Sequence, residues 1–156
     1  MKALSLIFFM ALTSMAFGQT TDAPIAVYEY QIVTSVESIV PSGLGRSRLV
    51  SNAGERDHKE FTSQRTEEDR GRNKSKRSEI RVKDFEETKM LNFFNLTGIR
   101  FENIAANDAI VSSKINDLSA SGWELAFVTS GVESSSGGDD GQGIFITRYI
   151  FKRLKR

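Results

Sequence analysis

Residues 107–122 carry the pattern that most restricts what this chain can fold into. Val111, Ile115 and Leu118 recur at helical spacing and form one apolar stripe. Asn107 precedes them as a helix N-cap, and Gly122 stands where a left-handed residue closes a helix. The spacing therefore predicts a helix over 107–121 that packs its stripe against a sheet.

Two strands are predicted directly after this helix, at 123–130 and 144–152. The connector between them, residues 131–143, is rich in Gly, Ser and Asp, so the two strands form a C-terminal hairpin. Both strands carry apolar residues on both faces, which is typical of central strands covered on both sides. The helix covers one face. The second cover is another segment of this chain or another subunit.

Weaker patterns predict the rest of the sheet. Residues 25–37 alternate with period two and favour a half-buried strand, and residues 46–51 return as a second. Residues 79–85 and 99–104 are interpreted as short strands, and residues 86–95 as a short helix. The expected fold is a single two-layer α+β domain, with a mixed or antiparallel sheet of about four or five strands and the long helix on one face.

A densely charged stretch interrupts the predicted sheet. Residues 52–78 mix acidic and basic side chains and contain almost no apolar ones. Such a composition does not bury enough surface to offset the entropy of ordering it. We expect a solvated and flexible insertion, either a plain long loop or an arm that binds a partner.

The N-terminus has the layout of a secretory signal peptide. Lys2 is followed by an apolar run over 3–17 and by the small residues Ala16 and Gly18, which predicts cleavage after residue 18. The mature domain is then 19–156, and no second apolar run long enough to cross a bilayer follows. We expect an exported protein, periplasmic or secreted, without an integral membrane segment after cleavage.

Composition excludes several classes of function. The chain has no cysteine, which excludes disulfides, thiol catalysis and thiolate metal sites. It has 21 Lys and Arg against 20 Asp and Glu, so no global charge attracts nucleic acid.

The C-terminal third resembles a family of small uncharacterised bacterial α+β domains. The shared pieces are Gly122-Trp123-Glu124-Leu125 after the helix, the glycine-rich connector over 137–143, and the closing strand from Arg148 to Arg153. An opening strand of the type Tyr-x-Tyr-x-x-Val is similar to residues 28–33. The resemblance implies the fold and no chemistry. The predicted signal peptide and the charged insertion set this chain apart from the short members.

No residues form a recognisable catalytic or cofactor site. His58, the only histidine, lies in the charged stretch, where nothing holds it in place for catalysis. Asp139 and Asp140 are weak candidates for calcium, since they lack the alternate acidic spacing of a calcium loop. We therefore predict no catalytic residue, no cofactor and no metal site.

The contact candidates are Trp123, Arg148 and Tyr149, at or within the C-terminal strands. Trp123 is a core anchor or a ligand platform with Tyr149 or Arg148 beside it. Arg148 pairs with Glu124 across the hairpin or points into a binding cleft. We expect a non-catalytic interaction or small-ligand module of the bacterial cell envelope that binds a protein or small molecule. The alternatives are a structural homo-oligomer that uses the second sheet face, and a metal-dependent or hydrolytic enzyme.

Overall fold

Five antiparallel strands and one long helix form the domain. The computed structural model describes residues 26–38, 47–52, 54–95, 97–133 and 143–155. The strands of the main sheet are β1 (Tyr28–Ser38), β2 (Arg48–Asn52), β3 (Phe85–Lys89), β6 (Glu124–Glu133) and β7 (Ile144–Leu154). Their order is β3-β2-β1-β7-β6, and each neighbouring pair is antiparallel. The predicted α+β class is confirmed.

The centre of the sheet is the pair β1 and β7. The two strands are in register over their whole length, from Tyr28 opposite Leu154 to Ser38 opposite Ile144. Because β1 occupies one side of β7, the hairpin partner β6 lies at the sheet edge. The interpretation of the strand at 123–130 as a central strand covered on both faces was therefore wrong. Of the two hairpin strands, only β7 has a neighbouring strand on each side.

The long helix, α2 (Phe101–Ala120), begins six residues before the predicted start at 107. The predicted strand over 99–104 was wrong, because the chain makes only a two-residue pairing of β4 (Phe94–Asn95) with β5 (Gly98–Ile99) before α2 begins.

The predicted end of α2 is confirmed. Gly122 has φ of 83°, the left-handed conformation that glycine adopts without a Cβ penalty. The Trp123 amide donates to the Leu118 carbonyl at 3.0 Å, and the Gly122 amide donates to the Ser119 carbonyl at 3.0 Å. This pair of bonds is a Schellman motif, which sets the direction in which β6 leaves the helix.

The middle of the chain differs most from the sequence predictions. The predicted strand over 79–85 is wrong, because residues up to Ile80 form a single helical turn, α1 (Arg77–Ile80). The predicted helix over 86–95 is also wrong, because β3 pairs with β2 as an edge strand. Pairing with β2 decides the second, since short charged segments have weak propensities of their own.

The core lies between α2 and one face of the sheet. Val33, Leu49, Met90, Leu118 and Phe151 are buried, and Phe151 is completely shielded from solvent. Half-buried apolar residues pack around them, namely Ile110, Val111 and Ile115 of α2 together with Trp123 and Tyr149. The stripe predicted from Val111, Ile115 and Leu118 is therefore the face of α2 that packs on the sheet.

Residues 54–84 form an extension that we call the charged arm. Its two legs are joined by a hydrogen bond from Arg56 Nη2 to the Arg81 carbonyl at 3.0 Å, and by one from the Asn73 amide to Ser63 Oγ at 2.6 Å. A turn at the tip places the Thr66 amide 2.8 Å from the Asp69 carbonyl. No residue of the arm is buried. Hydrogen bonds between its own residues therefore join the two legs of the charged arm, and its side chains are exposed to solvent or half-buried. That the arm is flexible stays a prediction.

Candidate binding surface

The strand register divides the side chains of the sheet between two faces. Residues that lie opposite each other on neighbouring strands point to the same side. Val33, Tyr149 and Val128 share the side on which α2 packs, which we call the inner face. Residues one position away on each strand point to the opposite side, the outer face. The only described helix longer than one turn therefore covers one face.

Four rows of side chains cross the outer face on β1, β7 and β6. In order along the sheet they are Tyr30, Lys152 and Glu124; Ile32, Ile150 and Phe127; Thr34, Arg148 and Thr129; and Val36, Ile146 and Gly131. Successive rows are about 6.8 Å apart, because every second residue of a strand points to the same face. Two of the rows are almost entirely apolar. They lie on either side of the row that holds Arg148.

Several large apolar side chains of the outer face are open to solvent. Tyr30 is 64% exposed, Ile32 46% and Phe127 67%. Contiguous exposed apolar areas are uncommon on monomeric proteins, and large ones are typical of interaction sites. The outer face is thus the strongest candidate for a functional surface in the described part of the chain.

Arg148 lies at the centre of the outer face and is exposed. Its neighbours across the strands are Thr34 and Thr129, neither of which carries a charge. Of the two alternatives for Arg148, the pairing with Glu124 does not occur, because Glu124 lies opposite Lys152 and its carboxylate is 3.6 Å from that ammonium group. The guanidinium of Arg148 therefore presents its donors to solvent between two apolar rows.

The other two predicted contact residues belong to the inner side. Tyr149 follows Arg148 directly and so points to the opposite face, where it packs against the core. Trp123 also packs there, and the guanidinium of Arg153 lies 4.3 Å from the centre of its ring, a cation–π contact. The structure therefore does not bring Trp123, Arg148 and Tyr149 together in one site.

A polar cluster on the inner face contains two titratable groups with shifted pKa values. Burial raises the pKa of Glu37, while a hydrogen bond from Asn107 lowers it and the nearby charge of Asp108 raises it. Burial likewise raises the pKa of Tyr149. The hydroxyl of Ser35 acts on Tyr149 in the opposite direction, although the Ser35 oxygen makes no hydrogen bond of ordinary geometry within the described chain.

Asn107 is the centre of this cluster, and sequence reasoning missed its role. Its Nδ2 donates to the Leu91 carbonyl at 2.8 Å and to Glu37 Oε1 at 2.9 Å, and its Oδ1 accepts from the Leu91 amide at 2.8 Å. Asn107 is 1% exposed and lies in the second turn of α2, so it is not the helix N-cap. It fixes the segment after β3 to the helix. The cluster is an element of the fold rather than a site open to ligands.

An open groove at the end of the sheet is lined by charged residues, but these are largely paired with one another. Arg153 forms an ion pair with Glu29, and Lys152 with Glu124. Paired charges are a weak basis for binding an ion, because each already has a partner that a ligand must displace. The outer face offers an exposed cation without this competition.

The remaining sequence candidates for chemistry are not brought together. His58 is in a short 3₁₀ helix on the charged arm, where its side chain is 83% exposed and 3.8 Å from Asp57. Asp139 and Asp140 lie outside the described residues, as does the predicted signal peptide. Within the described residues, no group of three or more acidic or histidine side chains is placed to hold a metal ion.

Comparison with known proteins gives no match: no family model, no curated protein and no solved structure is similar to this chain. No helix in the described part of the chain is both long and apolar enough to cross a membrane.

Proposed function

We propose that this protein is a non-catalytic interaction module, and that the outer face of its sheet binds a protein partner. The partner presents apolar side chains around an acidic group. The observation that carries the proposal is the exposed cation of Arg148 between two apolar rows. Tyr30, Ile32 and Phe127 supply apolar contact area, and Arg148 selects a carboxylate.

The position of Arg148 supports a specific binding site rather than a surface that binds any apolar partner. A carboxylate of the partner accepts two hydrogen bonds from the planar guanidinium, and the surrounding apolar contacts exclude water and strengthen that pairing. A partner without an acidic group would leave the guanidinium desolvated and unpaired, which is costly. The charge of Arg148 therefore discriminates between partners with and without an acidic group, and the aromatic side chains provide most of the buried area.

The second candidate is a structural homo-oligomer in which two outer faces pack together. The exposed apolar rows favour this arrangement, because sheets pack face to face about 10 Å apart. Arg148 disfavours it, since a two-fold axis near the centre of the face brings two guanidinium groups together without an acid. We therefore prefer a partner of complementary charge.

Export completes the proposal. The signal-peptide pattern at 1–18 supports a place in the bacterial periplasm or outside the cell, and the resemblance of the C-terminal third supports a relation to small bacterial α+β domains. The mass of the native protein tests whether the chain is exported and cleaved after residue 18. A chain that begins at Gln19 is expected in the envelope fraction, and a chain that retains residues 1–18 in the cytoplasm would contradict export.

Site-specific photo-crosslinking tests the binding surface. A photoreactive phenylalanine analogue replaces Tyr30 or Ile32 on the outer face of β1, or Phe101 as a matched control, since Phe101 is 74% exposed but lies on α2. The purified protein is then irradiated in a native envelope extract. We expect a discrete adduct from both outer-face positions and none from Phe101.

A charge series at Arg148 tests the chemistry of the partner. Arg148→Glu is expected to abolish the adduct formed from Tyr30, and Arg148→Lys to retain part of it, because only the second substitution keeps the attraction to a carboxylate. An adduct that is insensitive to Arg148→Glu would contradict the proposal. An adduct from Tyr30 or Ile32 with twice the mass of the chain would instead favour the packing of two outer faces, because β1 lies two strands away from β6.

A further inference from the structure

The two edges of the sheet differ in length and in charge. The edge strand β3 has five residues, and three of them, Glu86, Glu87 and Lys89, are charged. The edge strand β6 has ten residues, and the eight from Leu125 to Val132 contain neither a charge nor a proline. Short strands and charged side chains are how proteins keep sheet edges from pairing. The edge at β3 has both protections, and the edge at β6 has neither, although its pairing with β7 has a register shift between Leu125 and Phe127, near the start of the strand.

The side chains of β6 are exposed on both faces. Phe127 is 67% exposed on the outer face, and on the inner face Leu125, Val128 and Val132 are 37%, 49% and 59% exposed. None of the described side chains of β6 is buried. Among the described residues, β6 pairs with β7 alone, so half of its backbone donors and acceptors point away from the sheet. The strand therefore has the composition of an interior strand at the position of an edge.

We propose that β6 pairs in antiparallel orientation with β6 of a second copy of this chain. The two five-stranded sheets then form one continuous sheet of ten strands, with both α2 helices on the same face. Two identical antiparallel strands are self-complementary, so one interface satisfies both free edges and closes at a dimer. The edge at β3 stays outside the interface and does not propagate the assembly.

The side chains along β6 support a particular register. With Thr129 on the two-fold axis, Phe127 lies opposite Gly131 of the second copy. The space above Gly131 is open, because a Cβ built there meets no atom within 4 Å. A phenyl ring placed over a glycine of the neighbouring strand shields the backbone hydrogen bonds there. The same register places two threonines side by side, a favourable cross-strand pair.

The area available at this edge is close to that of the smallest specific dimer interfaces. The four apolar side chains of β6 still expose roughly 300–400 Å² in each copy, since a whole aromatic side chain covers about 150–250 Å². Pairing of the two edges therefore removes at most roughly 600–800 Å² of apolar side-chain surface from water, and the paired backbone on either side of Thr129 adds to this. The total approaches the 1,200 Å² or so at which specific interfaces begin.

Single cysteines test the register directly, because the chain has none of its own. Thr129→Cys is expected to give a covalent dimer under mild oxidation, since residues on the axis of an antiparallel pair lie within disulfide range. Thr88→Cys, at the opposite edge in β3, is the matched control and is expected to stay monomeric on a non-reducing gel. Equal crosslinking at Thr88 and Thr129 would overturn the proposal.

A lysine at each edge tests the dimer without a crosslink. Val128→Lys places like charges close to the axis and is expected to weaken dimerisation by about tenfold or more, as measured by sedimentation equilibrium. Thr88→Lys puts the same side chain on β3 and is expected to leave the dimer intact. Val132→Lys replaces Val128→Lys if circular dichroism shows that the latter is not folded.

The unmodified protein gives the decisive observation. A dimer that Val128→Lys or Val132→Lys converts to a folded monomer supports the proposal. A strict monomer of the unmodified chain at tens of micromolar would overturn it, whether or not another protein binds β6. The result is separate from the test of the outer face, because Tyr30 and Arg148 lie on β1 and β7, away from the paired edge.

Discussion

Replacement of Asn107 by alanine should destabilise the domain far more than the loss of a helix cap. The substitution removes two donors and one acceptor, and it leaves the amide and carbonyl of Leu91 and one oxygen of Glu37 without these partners. A buried polar group without a partner costs about 1–3 kcal/mol. Water reaches the partly exposed segment at Leu91, so the lower value applies to each group. We expect a loss of about 3 kcal/mol, against about 1 kcal/mol for an N-cap.

Urea unfolding followed by circular dichroism measures this loss. With a typical slope for a domain of this size, about 3 kcal/mol lowers the midpoint by about 1.5 M. Asn103→Ala is the matched control, because Asn103 lies one turn earlier on α2 and donates one hydrogen bond, to the Asn92 carbonyl at 2.8 Å. Its expected cost is about 1 kcal/mol. If Asn107→Ala costs no more than Asn103→Ala, the central role assigned to Asn107 is refuted.

Three further perturbations follow from burial and charge. Phe151→Ala should cost about 3–5 kcal/mol in thermal or urea unfolding because Phe151 is fully buried, whereas Phe101→Ala should change stability by less than about 0.5 kcal/mol; similar losses would contradict the described core. Burial raises the pKa of Glu37, so the folded state holds its proton more tightly than the unfolded state, and this contribution to stability is full below the ordinary value of 4.5 and is lost as the pH rises through the folded pKa. The free energy of unfolding of Glu37→Gln, relative to that of the natural protein, should therefore increase from pH 4 to pH 7. A constant difference would show that Glu37 does not titrate as described. Limited proteolysis with trypsin should cut first between residues 52 and 78, where no side chain of the arm is buried, and first cuts within α2 would contradict the packing of that helix.

Local signals predicted the elements that rest on local chemistry. The glycine after the long helix, the two C-terminal strands and the strand near the N-terminus all occur within a few residues of their predicted positions. Each depends on periodicity or on the conformational freedom of one residue, such as Gly122. The two-layer arrangement follows from them, because one apolar helix stripe needs one sheet face to cover it.

Strand order and the role of Asn107 could not be predicted in this way. Apolar residues on both faces of β6 indicate that its surfaces need cover, but not which strand is its neighbour. The position of β6 is decided by the pairing of β1 with β7, which joins residues more than a hundred positions apart in the chain. The role of Asn107 likewise depends on its hydrogen bonds with Leu91, which form only in the folded domain. The local sequence shows only a residue type that is common at helix N-caps.

The separation of Arg148 from Tyr149 could have been found in the sequence. Consecutive residues of a strand point to opposite faces, so these two side chains could not line one site. What the sequence could not provide is the polarity of the neighbours of Arg148. Thr34 and Thr129 become its neighbours only through the register of three strands, and that register places Arg148 between two apolar rows of the outer face.

The pairing of β1 with β7 also governs when the domain can fold. The first described strand, β1, can pair with the last, β7, only after the ribosome has made and released the chain as far as Leu154. Until then the centre of the sheet is incomplete. Contacts so distant along the chain slow folding, because a long loop has to close before any of them forms. A newly made polypeptide of this design therefore lacks its central strand pair during synthesis. The core therefore forms in one late step. Deletion of the first or the last described strand would remove a central strand of the sheet rather than an edge strand.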